Sequence, residues 1–478
     1  MNHAINADNP FLKPSPLEYQ APQFNRYKDS DYEPAILEGI RQKLAEVDNI
    51  ASDSAPPTFE NTYVALEKSG VMLQRVLNVF GAMTGANTND TLQKVDEETS
   101  PRLAAMDDSI HLNSKLFARL KAVYEQRGSL KISPESQRLI EVTFKDFELA
   151  GANLSDADKD KLKALNQQSA TLSTQFTNKL LAATKAGGLT VKDKAQLSGL
   201  SDAELSAAAQ AAKDRKLDNA WLLVLQNTTQ QPLLQSLDDR DTRKALYDAS
   251  IHRAEKGDAN DTRELIAKLA KVRAEQAQVL GFPSYAAWKL EDQMAKTPQA
   301  ALDFMHKIVS AATARAQREA ADIQAEIDKQ KGGFKVAAWD WQHYAQQVRK
   351  EKYDLDDAQI KPYFELNNVL ENGVFYAANL LYGITFKDRK DLPVYNPDVR
   401  VFEVFDKDGK SMALFYADYY QRDNKGGGAW MSNYVDQSKL LGTKPVIYNV
   451  ANFQKPAAGQ PALLSWDDVI TMFHEFGH

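Results

Sequence analysis

Leu162, Leu165, Leu172, Phe176 and Leu180 fall three, four or seven residues apart, a spacing that puts all five on one stripe of a helix. Ser155 with Asp158 reads as its capping box, and Gly187–Gly188 close it. Leu265, Leu269, Val272 and Val279 make a second stripe, stopped by Gly281 and then Pro283. Similar patterns run from about residue 31 to residue 330. Only 22 glycines and 18 prolines interrupt 478 residues, both below ordinary usage, so long helices are expected. No repeat of ~20–50 residues is visible, which argues against a helical solenoid. Pro14, Pro16 and Pro22 mark an extended lead-in, and Pro56–Pro57 a helix boundary.

Near residue 384 the pattern changes. Val401–Phe405 and Ser411–Tyr416 are β-branched and aromatic runs joined by Asp406-Lys407-Asp408-Gly409, which reads as a hairpin. The turn is not a calcium loop. With Gly409 at the sixth loop position, the first and twelfth would be Val404 and Phe415, which carry no oxygen ligand. A further strand is expected at Pro445–Val450, preceded by Lys425-Gly426-Gly427-Gly428-Ala429-Trp430. That segment has no phosphate-loop signature. It reads either as a flexible loop or as backbone over which a ligand can lie closely.

The charge sum is −7, a poor balance for binding nucleic acid or anionic membrane, whose phosphates attract Lys and Arg. The absence of cysteine excludes disulfides, thiolate nucleophiles, Cys-ligated zinc and iron–sulfur clusters. No apolar run reaches ~18 residues, so no membrane span is expected. The start has neither a basic n-region nor an apolar h-region, so no secretory signal is expected either. The missing cysteines suit the cytosol and tolerate the periplasm; a cytoplasmic location and a monomer are the expectations.

His474-Glu475-Phe476-Gly477-His478 is an H-E-x-x-H, with Ser465 and Asp468 as a capping box and Trp466–Phe476 as its helix. Residues i and i+4 share a helix face, with Cβ atoms ~5–6 Å apart. Two imidazoles at that spacing can share one zinc with bonds of ~2.0–2.1 Å. Glu475, turned ~100° from His474, stands beside the ion as general base towards activated water. With 7 histidines in 478 residues, chance yields this motif in under about 1% of such chains. The alternative is a hydrogen-bonded His pair on an apolar helix. Catalytic zinc takes three protein ligands, and His3, His111, His252, His306 and His343 each stand alone without ligand spacing.

Several ordered blocks then carry a resemblance. They are Asn9-Pro10-Phe11-Leu12, Leu280-Gly281-Phe282-Pro283 with Tyr285-Ala286-Ala287-Trp288, and Met294-Ala295-Lys296-Thr297-Pro298. Tyr363-Phe364-Glu365-Leu366, Tyr382-Gly383-Ile384, Asn396-Pro397-Asp398-Val399, Gly427-Gly428-Ala429-Trp430 and His474–His478 follow. Together they resemble the thimet-oligopeptidase family of zinc peptidases, and within it the members that release dipeptides from a free C-terminus.

The resemblance implies a mainly α, two-lobed helical channel of zincin-like type, with a small β-sheet at about 384–453 near the zinc helix. Residues 1–300 would form a helical lobe and 301–478 the amino-terminal part of the catalytic lobe. It implies Zn2+ as cofactor, His474 and His478 as ligands, Glu475 as general base, and short peptides as substrates. Gly427, Gly428, Ala429 and Trp430, with the strand Pro445–Val450, would pair with substrate backbone. Asn396 stands where relatives often carry His. The family's third ligand and oxyanion-stabilising residues would lie downstream of His478, which implies a C-terminally truncated chain. Two rivals stay open: an endo-acting oligopeptidase on the same scaffold, and an inactive fragment or peptide-binding remnant. Without its downstream partners, the zinc helix would leave Val469, Ile470, Phe473 and Phe476 uncovered, and its last turn would fray.

Overall fold

A computed structural model describes residues 5–225, 231–354 and 357–478, without side-chain detail at residues 357 and 358; His3 lies outside the described residues. The longer helices are α1 (Asp29–Ser52), α2 (Val71–Ala86), α3 (Asp90–His111), α4 (Ser114–Gln126), α5 (Pro134–Leu149) and α6 (Asp156–Ala186). They continue with α7 (Asp202–Asp214), α8 (Arg240–Ile251), α9 (Arg263–Val279), α10 (Pro298–Lys329), α11 (Trp341–Tyr353) and α12 (Trp466–Gly477). The strands are β1 (Leu189–Val191), β2 (Trp221–Leu223), β3 (Thr385–Asp388), β4 (Arg400–Phe405), β5 (Ser411–Tyr420), β6 (Trp430–Val435) and β7 (Val446–Phe453). The chain is mainly helical with a small mixed sheet, as expected. No described helix is long and apolar enough to cross a membrane.

Two compact units interleave along the sequence. The first holds residues 1–178, 263–301 and 434–445, and the second holds 179–262, 302–433 and 446–478. A single cut near residue 300 therefore does not separate them.

In the first unit, α1 packs against α2 and α3. Phe11, fully buried, stacks on Tyr27 at 4.4 Å and meets Tyr32 of α1 at 5.2 Å, which fastens the proline-marked lead-in to the helices. Both stripes form helices as read, and the structure brings them together: Leu165 and Leu172 of α6 cluster with Leu265, Leu269 and Val272 of α9. The Ser155 hydroxyl accepts from the Asp158 amide at 3.2 Å. The α9 stop is a Schellman motif, with Phe282 N–H bonded to Ala277 C=O at 2.8 Å and Gly281 at φ +82.

In the second unit, β1 and β2 pair antiparallel inside a stretch read as helical. Three-residue strands are too short to show a period of two. The main sheet has the order β3-β4-β5-β7-β6, with β3/β4 and β4/β5 antiparallel and β5/β7 parallel. The hairpin stands as expected, closed by the Asp406 amide donating to the Lys410 carbonyl at 2.9 Å. Strands β5 and β7 are buried on both faces, which explains their near-continuous apolar sequence.

One face of the sheet, with Phe402, Val404, Phe415, Ala417, Tyr419, Ala451 and Phe453, shares a core with Leu370, Val374, Phe375 and α12 residues Val469 and Met472. Burying two such side chains stabilises the seating of α12 by about 1.5–3 kcal/mol each. Phe476 packs edge-on to Phe415 at 5.5 Å and lies 5.8 Å from Phe386.

Candidate active site

Helix α12 begins with the expected capping box. Ser465 Oγ accepts from the Asp468 amide at 3.1 Å, and Asp468 Oδ2 accepts from the Ser465 amide at 3.0 Å. Burial pushes the Asp468 carboxyl above its ordinary range, against the hydrogen bonds that the Ser465 amide and hydroxyl donate to Oδ2. The apolar stripe of α12 is divided. Val469, Met472 and Phe476 face the sheet core, whereas Ile470 and Phe473 are exposed. The last turn is formed, with His478 N–H donating to His474 C=O at 3.3 Å.

His474 and His478 converge. Their Nε2 atoms lie 3.0 Å apart and their rings stand at 89°. Two ligands of a tetrahedral zinc with bonds of about 2.0–2.1 Å stand about 3.3–3.4 Å apart, so the pair has nearly the spacing of a ligand pair. Both rings are exposed and Glu475 between them is half-buried. The Asn449 amide on β7 donates to the Glu475 carbonyl at 3.0 Å, which satisfies a carbonyl in the last turn of the helix. Among the described residues no third His, Asp or Glu joins the pair as a metal-holding group.

The other described histidines are engaged or lie apart. His111 Nδ1 meets the Asp107 carbonyl at 3.0 Å, and His252 pairs with Glu255. His306 is exposed on α10. His343 bonds the Gln235 carbonyl and the Gln347 amide, and burial holds it below the usual imidazole range.

Gly427, Gly428, Ala429 and Trp430 lead into β6, and Trp430 is itself the first residue of that strand. Strand β7 is interior, with β5 on one side and β6 on the other. The expectation that Pro445–Val450 pairs with substrate backbone is therefore corrected, because both hydrogen-bonding edges of β7 are taken. The sheet edge next to the loop is β6.

A polar cluster missed in the sequence lies at the base of this loop. Arg422 Nη1 and Nη2 donate to the two Asp418 oxygens at 2.8 and 2.6 Å, and Tyr395 OH donates to Oδ2. Lys425 Nζ, wholly buried, donates to Asp418 Oδ1 at 3.0 Å. Burial raises the Asp418 carboxyl, but Arg422 and Lys425 outweigh it and hold it below 3.8. One carboxylate faces two cations, so at Lys425 burial outweighs the pull of Asp418 and the ammonium is lowered to about 8. The available signal was Asp418 itself, a lone charge inside Ala413–Tyr420.

Residues 233–478 match the family described as Peptidase family M3. The chain is 58% identical over 470 residues to "Dipeptidyl carboxypeptidase" of Escherichia coli (strain K12), covering 98% of this chain and 69% of that protein. It is 30% identical over 477 residues to "Oligopeptidase A" of the same organism, again covering 98% and 69%. Against "Probable thimet oligopeptidase" of Arabidopsis thaliana it is 27% identical over 394 residues, with 82% and 53% covered. An H-E-x-x-H on a capped helix seated on the sheet, inside a match of this extent, leads to one assignment: the chain belongs to peptidase family M3.

Proposed function

We propose that this protein hydrolyses short peptides with zinc and releases dipeptides from a free C-terminus. The observation that carries the zinc reading is the 3.0 Å approach of His474 and His478 Nε2 on one helical turn. These two residues would hold the ion, and zinc when bound supplies Lewis-acid activation of water and of the scissile carbonyl. Glu475 takes the proton of the attacking water and passes it to the departing amine. The loop Gly427–Trp430, continuing into β6, takes the peptide backbone by strand addition. Dipeptide release is preferred over the endo-acting alternative because identity to the dipeptidyl carboxypeptidase is 58% against 30% to the oligopeptidase A. A monomer in the cytoplasm, with no nucleic acid and no membrane as partner, completes the proposal.

The pair supplies two of the three protein donors that catalytic zinc takes. That shortfall among the described residues favours a second reading, in which the 478-residue chain alone is nearly inactive. One experiment tests both. N-blocked peptides with a free or an amidated C-terminus are offered to the chain, and to a chimera extended with the part of the E. coli dipeptidyl carboxypeptidase outside the match. Zinc-dependent cleavage of the free form by the chimera, lost in Glu475→Gln, is the expected result. Equal cleavage of the amidated form would instead give the endo-acting enzyme. A chimera whose rate survives metal stripping overturns the zinc reading, and EDTA-sensitive turnover by the 478-residue chain overturns the second.

A further inference from the structure

We infer that Lys425 is a positioning residue for the peptide-binding loop, its buried ammonium fixing the start of the Gly426–Trp430 segment to the end of β5. The inference rests on the reading that this loop holds peptide backbone.

The ammonium has three N–H donors, and three acceptors meet it: Asp418 Oδ1 at 3.0 Å, the Asp418 carbonyl at 3.0 Å and the Tyr420 carbonyl at 2.8 Å. All three belong to the last three residues of one strand, where the β5/β7 register shifts between Asp418 and Tyr420. Such irregularities redirect side chains at the rims of sheets. Asn452 on β7 continues the fastening. Its amide donates to the Gly426 carbonyl and to the Gly428 carbonyl, each at 2.8 Å. Gly428 sits at φ +90, where a side chain would be strained. The segment is thus held from beneath at residues 425, 426 and 428, while Gly427 is exposed.

Stability alone gives little reason for this arrangement. Desolvating an ammonium is costly, and replacing buried ion pairs with apolar residues of similar volume is often neutral or stabilising. A methionine at 425 would fill the space. It would not fix direction, because only the ammonium ties the chain to three oxygens at once. The arrangement suits a backbone whose amides and carbonyls must meet an extended peptide in one register.

The test uses the full chain with Lys425→Met and Lys425→Arg. Amide exchange over residues 426–430 and the affinity for an N-blocked tetrapeptide with a free C-terminus are measured beside the melting temperature. The expected result for Lys425→Met is a near-unchanged melting temperature, at least tenfold faster loop exchange and at least tenfold weaker peptide binding, with partial recovery in Lys425→Arg. Unchanged loop exchange in Lys425→Met overturns the inference and leaves the loop reading standing. Faster exchange with unchanged peptide affinity overturns the loop reading, and the positioning role with it. Should Lys425→Met fail to fold, Asn452→Ala removes the second fastening and is judged by the same two readouts.

Discussion

Asn449, buried on β7, donates its side-chain amide to the main-chain carbonyl of Glu475 at 3.0 Å, so the central region of the sheet grips the residue between the two histidines. Asn449→Ala leaves that carbonyl without its donor. A loss of about 1–2 kcal/mol is expected in urea unfolding. Zinc affinity should fall about tenfold, the low end for losing a group that fixes the turn carrying the two histidines. Unchanged zinc affinity would show that the last turn holds its shape without β7.

His474→Ala and His478→Ala should each abolish zinc binding by equilibrium dialysis, because each removes one of the two convergent Nε2 donors. Glu475→Gln should retain it. In the chimera, Glu475→Gln should lower peptide cleavage by roughly 10²–10⁴-fold, the range for loss of a general base.

Met472 is 1% exposed in the core beneath α12. Met472→Ala should cost about 2–5 kcal/mol in global unfolding. Ile470→Gln, on the exposed side of the same helix, should change stability by less than about 0.5 kcal/mol. Equal effects would contradict the orientation of α12.

Asp418 has a folded pKa below its ordinary value of 3.8. The unfolded chain therefore binds that proton more readily, and the group's stabilising contribution is full above about pH 4. It is lost as pH falls through the depressed folded value. Asp418→Asn should flatten the acid limb of a stability–pH curve. An identical acid limb in the variant would remove Asp418 from the account.

Large apolar side chains stand exposed in the second unit, among them Phe304 at 65%, Leu381 at 73% and Ile470 at 50%. Where exposed apolar side chains adjoin, they bind hydrophobic dyes and promote association. Enhanced dye fluorescence is expected from the folded 478-residue chain, and should fall on Phe304→Gln with Ile470→Gln. A dye-silent, monodisperse protein would contradict this.

The helices were legible where burial is one-sided. Leu165 and Leu172 mark one helix face and Leu265 and Leu269 another through a period of 3.6, although only the structure shows that the two faces share a core. Ser465 and Asp468 revealed the start of α12 because capping is local chemistry. Partnerships across the chain were not legible. Nothing in the spacing of Asp418, Lys425, Asn449 and Asn452 shows that the first two form a buried pair, or that the others reach Glu475 and Gly428. The position of β7 was hidden for the same reason. A strand carries its propensity in sequence, but its neighbours are settled by packing.

The parallel pairing of β5 with β7 sets a timetable for biosynthesis. Strand β5 ends at Tyr420, and its neighbour is not finished until Phe453, about 30 residues later. Until β7 joins it, β5 is a sticky ten-residue ribbon with one flank vacant. Helix α12 is made later still, and the core on which it settles includes Ala451 and Phe453 of β7. A folding molecule is therefore most open to association before β7 has paired with β5.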